Sequence, residues 1–154
     1  MQERTAADTE ALLVYNLLRT HSMLNPFIDR GLRELNLTGA QLNALLVLRD
    51  AGAQGMPLSE IGRHLVVTKA NVTGLIDRLE REGLVQRDSH SDRRVTLAKL
   101  TEQGAALLEA ALPHHRQLLS ELLSCLTGEE KEQLIALLTK LRRGLRQKRE
   151  EGLI

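Results

Sequence analysis

Between Gly83 and Thr101 the chain leaves the helical spacing that governs the sequence on both sides. "LVQRD" and "RRVTLAKL" alternate with a period of two around a polar tip, "SHS", the pattern of two short strands joined by a hairpin. On both sides of this hairpin the spacing is that of helices. Leucine supplies those helices. Tyr15 and Phe27 are the only aromatic residues among 154, which leaves packing to a residue that favours helices over sheets. The expected fold class is mainly α with a small β-hairpin.

Upstream, Leu13, Leu17, His21, Leu24, Ile28, Leu32 and Leu35 recur at helical spacing, with a helix start expected near Asp8 or Thr9. Pro26 interrupts this run, but the pattern resumes in phase, so a kink is expected rather than an end. "LTGAQLNALLVLRDAG" restarts a helix: Thr38 and Gln41 have the spacing of a capping box, and Gly52 stands where a C-terminal glycine belongs. "MPLSEIGRHLVVTKANVTGLIDRLEREGLV" reads as two helices joined by a tight turn, the first spanning Leu58 to Leu65. In the second, Thr68 can cap, Val72, Leu75, Ile76 and Leu79 form an apolar stripe, and Gly83 closes the helix. Lys69, Asn71, Thr73, Gly74, Asp77 and Arg78 fall off that stripe, so the helix has one dry face and one polar face. After the hairpin, Thr101 starts a long helix through Leu108, Leu112, Leu119 and Leu123, with Pro113 as a second kink. Thr127 and Glu130 repeat the capping-box spacing before a last amphipathic helix built on Leu134, Leu137, Leu138, Leu141 and Leu145.

Helix, turn, helix and hairpin, in that order, describe a winged helix-turn-helix whose second helix is sized for the DNA major groove. The long leucine helices at either end cannot bury their apolar faces against so small a module alone. They point to a homodimer, in which each copy covers the other. The expected organisation is an N-terminal dimerisation helix in residues 1–37, the winged region in 38–100 and C-terminal dimerisation helices in 101–154, forming one intertwined fold. Charge is distributed accordingly. The formal net charge is only +1, but residues 55–100 carry eight Lys/Arg against six Asp/Glu, and residues 128–150 carry seven against four. That asymmetry is compatible with a polyanionic partner.

The stretch "LSEIGRHLVVTKANVTGLIDRLEREGLVQRDSHSDRRVTLAKLTEQG", most specifically "LIDRLEREGLV" through Asp92, Arg94 and "LTEQG", resembles the MarR family of bacterial transcription regulators. The resemblance extends over nearly the whole chain, including "CLTGEEKEQL". It implies a dimer whose first and last two helices intertwine, and binding to a palindromic operator on double-stranded DNA, usually as a repressor. Carried over by position, it implies that Asn71, Thr73 and Gly74 face base edges and that Arg94 enters the minor groove from the wing. Asp77 and Asp92 match positions that orient that arginine. Gly74 departs from the family pattern, in which a long side chain is common there.

A wing tip that enters a narrow groove needs short side chains and a firmly held guanidinium, because minor-groove width and potential attract arginine. Asp92 lies two residues before Arg94, on the same side of a strand, and so can hold it. Arg87, Arg93 and Lys99 are expected at phosphates, and Lys69 and Arg78 are expected to bind DNA from the polar face of the second helix. A small-molecule effector lodged between dimer core and winged module would relieve repression if it bound the wrongly spaced dimer more tightly. With few aromatics to stack on, an aliphatic or amphipathic effector is expected.

Other readings compete. Some winged helices dock proteins rather than DNA, which salt dependence of binding would distinguish. A metal- or redox-sensing regulator would need ligands or a reactive thiol. His114 and His115 are adjacent and so diverge by about 100° on a helix, which suits two ligands poorly. The single cysteine, Cys125, sits among Leu122, Leu123 and Leu126 and is expected to be a buried thiol; one cysteine also fits a reducing cytoplasm. His21, on the apolar side of the first helix, is expected to be packed and hydrogen-bonded, with the lining of a ligand pocket as the alternative. The C-terminal "KLRRGLRQKRE" is either a further phosphate strip or a solvated helix end whose cations complement the dipole. No phosphate loop, nucleophile motif or metal-binding histidine pair supports an enzyme, and no cofactor is expected. No stretch reaches the ~20 apolar residues of a bilayer span, and "MQERTAADTE" lacks the pattern of a signal peptide, so a cytoplasmic protein is expected.

Overall fold

The computed structural model describes residues 6–65, 69–89 and 95–152. Helix α1 spans Ala6–Gly31 with Pro26 inside it, in keeping with the in-phase apolar pattern. The expected continuation to Leu35 changes character: Arg33–Leu35 form a 3-10 turn, closed by Asn36 in the left-handed region at φ 53°. Helix α2 (Gly39–Ala51) follows at once. Its capping box is complete, with the Thr38 hydroxyl accepting from the Gln41 N–H and the Gln41 side chain accepting from the Thr38 N–H. The second expected box, Thr127 with Glu130, is complete as well.

A two-residue strand, β1 (Met56–Pro57), precedes α3 (Leu58–Leu65) and α4 (Lys69–Arg81). Strands β2 (Val85–Ser89) and β3 (Thr96–Leu100) then form the expected antiparallel hairpin, in which Arg87 stands opposite Ala98. β3 is central, because β1 adds to its other edge, with Met56 opposite Ala98. Nothing in the sequence marks a strand at Met56–Pro57: two residues show no periodicity, and a proline, lacking its N–H, is tolerated only at such an edge. Helices α5 (Glu102–Leu122) and α6 (Gly128–Glu150) complete the chain.

Two compact units emerge, residues 1–118 and 119–154. In the first, the core is almost purely aliphatic. Leu42, Leu45 and Leu48 of α2, Ile61 of α3, Val72, Ile76 and Leu79 of α4, Val85, Ala98 and Leu108 are all fully buried or nearly so. Each of the larger side chains contributes about 1.5–3 kcal/mol by leaving water. Two glycines let α5 close on this core. Gly83 ends α4 at φ +73°, and a Cβ on Gly104 would lie 2.1 Å from the Leu84 carbonyl oxygen. The first turn of α5 thus rests directly on the corner between α4 and β2.

Outside that core, large apolar side chains remain uncovered. Leu13, Val14, Tyr15, Leu18, Met23 and Phe27 are exposed on α1, and Leu134, Ile135, Leu137, Leu141 and Leu145 are exposed on α6. No residue of α6 is buried. Cys125, expected to be buried, is exposed: it lies in the turn after α5, where Leu122 and Leu126 are themselves only half-buried and Leu123 is exposed. His21 is exposed too, although it does share a hydrogen bond, 3.1 Å from Asn25 Nδ2. His115 takes an inward position on α5, next to the turn that buries Ala111 and Leu112. Its buried Nδ1 meets no hydrogen-bond partner among the described residues. Burial lowers its pKa from the ordinary histidine value, and the neighbouring His114 charge adds to the effect. Among the described residues, no helix is long and apolar enough to cross a membrane.

Candidate nucleic-acid interface

Helix α4 is oriented by its own stripe. Val72, Ile76 and Leu79 recur at i, i+4 and i+7, all turned into the core. Asn71, Thr73, Gly74 and Arg78 are exposed on the remaining surface. At Gly74 an added Cβ would meet nothing within 4 Å, so the middle of this polar face carries an open notch. Lys69 is the first residue of the helix. The expected cap, Thr68, lies outside the described residues, as do Asp92, Arg93 and Arg94 of the wing.

The first wing strand is tied to α4 by one arginine. The Arg87 guanidinium donates to Glu80 Oε2 at 2.6 Å and to Asp77 Oδ1, while the Arg87 backbone N–H donates to Glu80 Oε1 at 3.1 Å. Asp77 and Glu80 stand three residues apart on α4 and therefore share a face. Arg87 is 27 % exposed, against 47 % for Asp77 and 37 % for Glu80. The hydrogen bond to Asp77 raises the Arg87 pKa above its ordinary value, against the opposing effect of burial, and the charges of Asp77 and Glu80 reinforce it. On the opposite face of the hairpin, Lys99 Nζ donates to Asp88 Oδ2 at 2.7 Å.

These contacts rearrange the expected roles. Arg87 and Lys99, expected at phosphates, each have a carboxylate partner inside the fold. Asp77, expected to orient Arg94, accepts from Arg87. Glu80 was not singled out in the sequence as a site residue. The signal was present, since Asp77 and Glu80 make an i, i+3 acidic pair shortly before a strand arginine, but only the tertiary fold brings that strand alongside. Among the described residues no group of His, Cys, Asp and Glu has the arrangement of a metal site.

Known proteins share this architecture. The MarR family model matches residues 37–96, from just before α2 through the first wing strand to the first residue of β3. HTH-type transcriptional regulator MhqR of Bacillus subtilis is 31 % identical over 126 residues, covering 81 % of this chain and 86 % of MhqR. Among solved structures, a mutant MarR from E. coli complexed with operator DNA superposes with a TM-score of 0.78 at 28 % identity, covering 90 % of this chain and 99 % of that one. BpsR of Bordetella bronchiseptica, whose DNA binding is regulated by 6-hydroxynicotinic acid, gives a TM-score of 0.77 at 27 % identity, covering 85 % of this chain and 98 % of that one. With the winged module, the long flanking helices and these relatives in agreement, the chain belongs to the MarR family of transcriptional regulators.

Proposed function

We propose that this regulator acts as a homodimeric repressor of a palindromic operator on double-stranded DNA, released by a small-molecule effector. Residues 1–37 and 101–154 serve as the dimerisation helices around the winged module of 38–100. The observation that carries the reading is the division of α4 into a buried aliphatic stripe and an exposed face of Asn71, Thr73, Gly74 and Arg78. On this reading Asn71, Thr73 and Gly74 meet base edges in the major groove. Lys69, Arg78 and Arg93 neutralise phosphates, and Arg94 enters the minor groove with Asp92 beside it. Arg87 serves differently, binding Asp77 and Glu80 so that two carboxylates next to the groove are neutralised. The uncovered leucines of α1 and α6 support dimerisation, because a monomer would leave these apolar side chains in water. The operator complex and the effector-regulated relative among the similar structures support the DNA and effector assignments.

Two recognition helices must stand about 34–36 Å apart to enter successive major grooves on one face of a duplex. An effector that binds the dimer better at another spacing would shift the population away from the DNA-binding form. Footprinting on the DNA next to the protein's own coding sequence tests the reading, followed by titration at several salt concentrations. Protection of a palindrome is expected, with affinity falling on a log–log slope of about −0.9 per phosphate contact. Absent or salt-insensitive binding would favour the winged module as a protein-docking domain.

A further inference from the structure

Gln41 is the only polar or charged residue among the described residues that is buried, at 2 % exposure in an otherwise aliphatic core. A buried amide costs free energy unless its donors and acceptor are used. Its Oε1 accepts from the Thr38 N–H at 2.9 Å and from the Thr38 hydroxyl at 3.1 Å, completing the cap of α2. Its Nε2 donates to Glu82 Oε2 at 3.0 Å, 41 residues away, where α4 turns toward the wing. A glutamate at this helix position would cap equally well, since capping asks only for an acceptor. The second bond asks for a donor, so the amide is the choice that serves both.

The same corner is gripped from the other side. The Thr101 hydroxyl donates to the Gly83 carbonyl at 2.7 Å, Gln103 Nε2 donates to the Glu82 carbonyl at 3.4 Å, and Gly104 brings α5 against Leu84. Next to Gln41, Asp29 of α1 accepts from the Gly39 N–H at 2.7 Å, so the ends of α1 and α2 are joined there as well. Both elements assigned to DNA, the recognition helix and the wing, leave from the Glu82–Gly83 corner. Aliphatic packing has no direction and allows helices to slide, whereas hydrogen bonds fix angles.

We propose that the Gln41–Glu82 bond is the joint that sets the recognition helix and wing on the α1–α2 corner, and that operator affinity depends on it. Gln41 and Glu82 are positioning residues: neither lies on the face assigned to DNA. The inference rests on the DNA-binding reading above. The experiment compares the full-length protein with Glu82→Ala, Gln41→Glu and the exchange variant carrying Gln41→Glu and Glu82→Gln. The probe is the duplex protected in the footprint, and amide hydrogen exchange over residues 82–85 is measured in parallel.

Loss of one hydrogen bond to a charged group predicts roughly tenfold weaker operator binding for Glu82→Ala and Gln41→Glu. The salt slope should not change, because no phosphate contact is lost. The corner amides should exchange faster. The exchange variant restores the bond with donor and acceptor reversed, and should recover both affinity and protection. Glu82→Ala changes an exposed side chain, so it keeps the test open if the buried carboxylate introduced by Gln41→Glu prevents folding. Wild-type affinity in Glu82→Ala, or an exchange variant no better than Gln41→Glu, would overturn the joint. A wild-type protein that fails to bind DNA would instead overturn the functional reading, and the exchange data would then report on the joint alone.

Discussion

Replacing Arg87 by glutamine removes one cation and releases two carboxylates, and the two jobs open to that cation leave different traces. The pairs are between a quarter and a half exposed, so each contributes at the modest level of surface ion pairs, about 0.2–1 kcal/mol. With both pairs lost together, Arg87→Gln should cost about 1 kcal/mol of stability, read as a shift in the urea midpoint with an unchanged m-value. If the clamp positions the wing, operator affinity falls by a similar free energy, about fivefold. The salt slope decides the role. A phosphate contact would lower its magnitude by about 0.9, whereas an internal clamp leaves it unaltered. A double-mutant cycle with Asp77→Asn adds a second criterion: coupled partners give less than the sum of the single losses. A slope reduced by about one unit, with additive losses, would refute the clamp and return Arg87 to the phosphate backbone.

Gly74→Ala adds a methyl group into open space within a helix, so it should stabilise the fold by up to about 1 kcal/mol in thermal melts. If Gly74 faces bases, the same variant should change operator affinity or preference; a wholly neutral binding profile would remove it from the interface. Gly104→Ala has the opposite outlook, since its Cβ would meet the Leu84 carbonyl oxygen at 2.1 Å, and a loss of about 2–3 kcal/mol in urea unfolding is expected. His115 makes stability depend on pH. Its lowered folded-state pKa means that the unfolded chain takes up a proton first as pH falls below the ordinary histidine value. Stability should therefore decline from about pH 6.5 downward until the folded state is protonated too, and His115→Gln should flatten that decline in melts at about pH 7.5 and 5.5. An unchanged decline in the variant would exonerate His115.

Much of this protein could be read from residue order. The two capping boxes, the start of α5 after Thr101, the proline inside α1 and the hairpin strands follow from local rules that act within a few residues, and all appear in the structure. The same rules separate the dry and polar faces of α4. They do not see β1, which exists because β3 offers an open edge. They also misjudge Cys125, whose leucine neighbours in sequence do not surround it in space.

The partners of charged groups belong to a different level. Arg87 reads in isolation as a cation awaiting a phosphate, and becomes a clamp only because the hairpin folds back along α4. Gln41 reads as a capping residue, and becomes a joint only because α4 ends beside the start of α2. Periodicity and capping are properties of neighbours along the chain, so sequence alone determined the helices, the hairpin and the buried stripe of α4. Ion pairs and long-range hydrogen bonds depend on distances of a few ångströms between residues far apart in sequence. Those distances exist only once the core has packed, and so the tertiary structure decided which polar groups face outward and which hold the fold together.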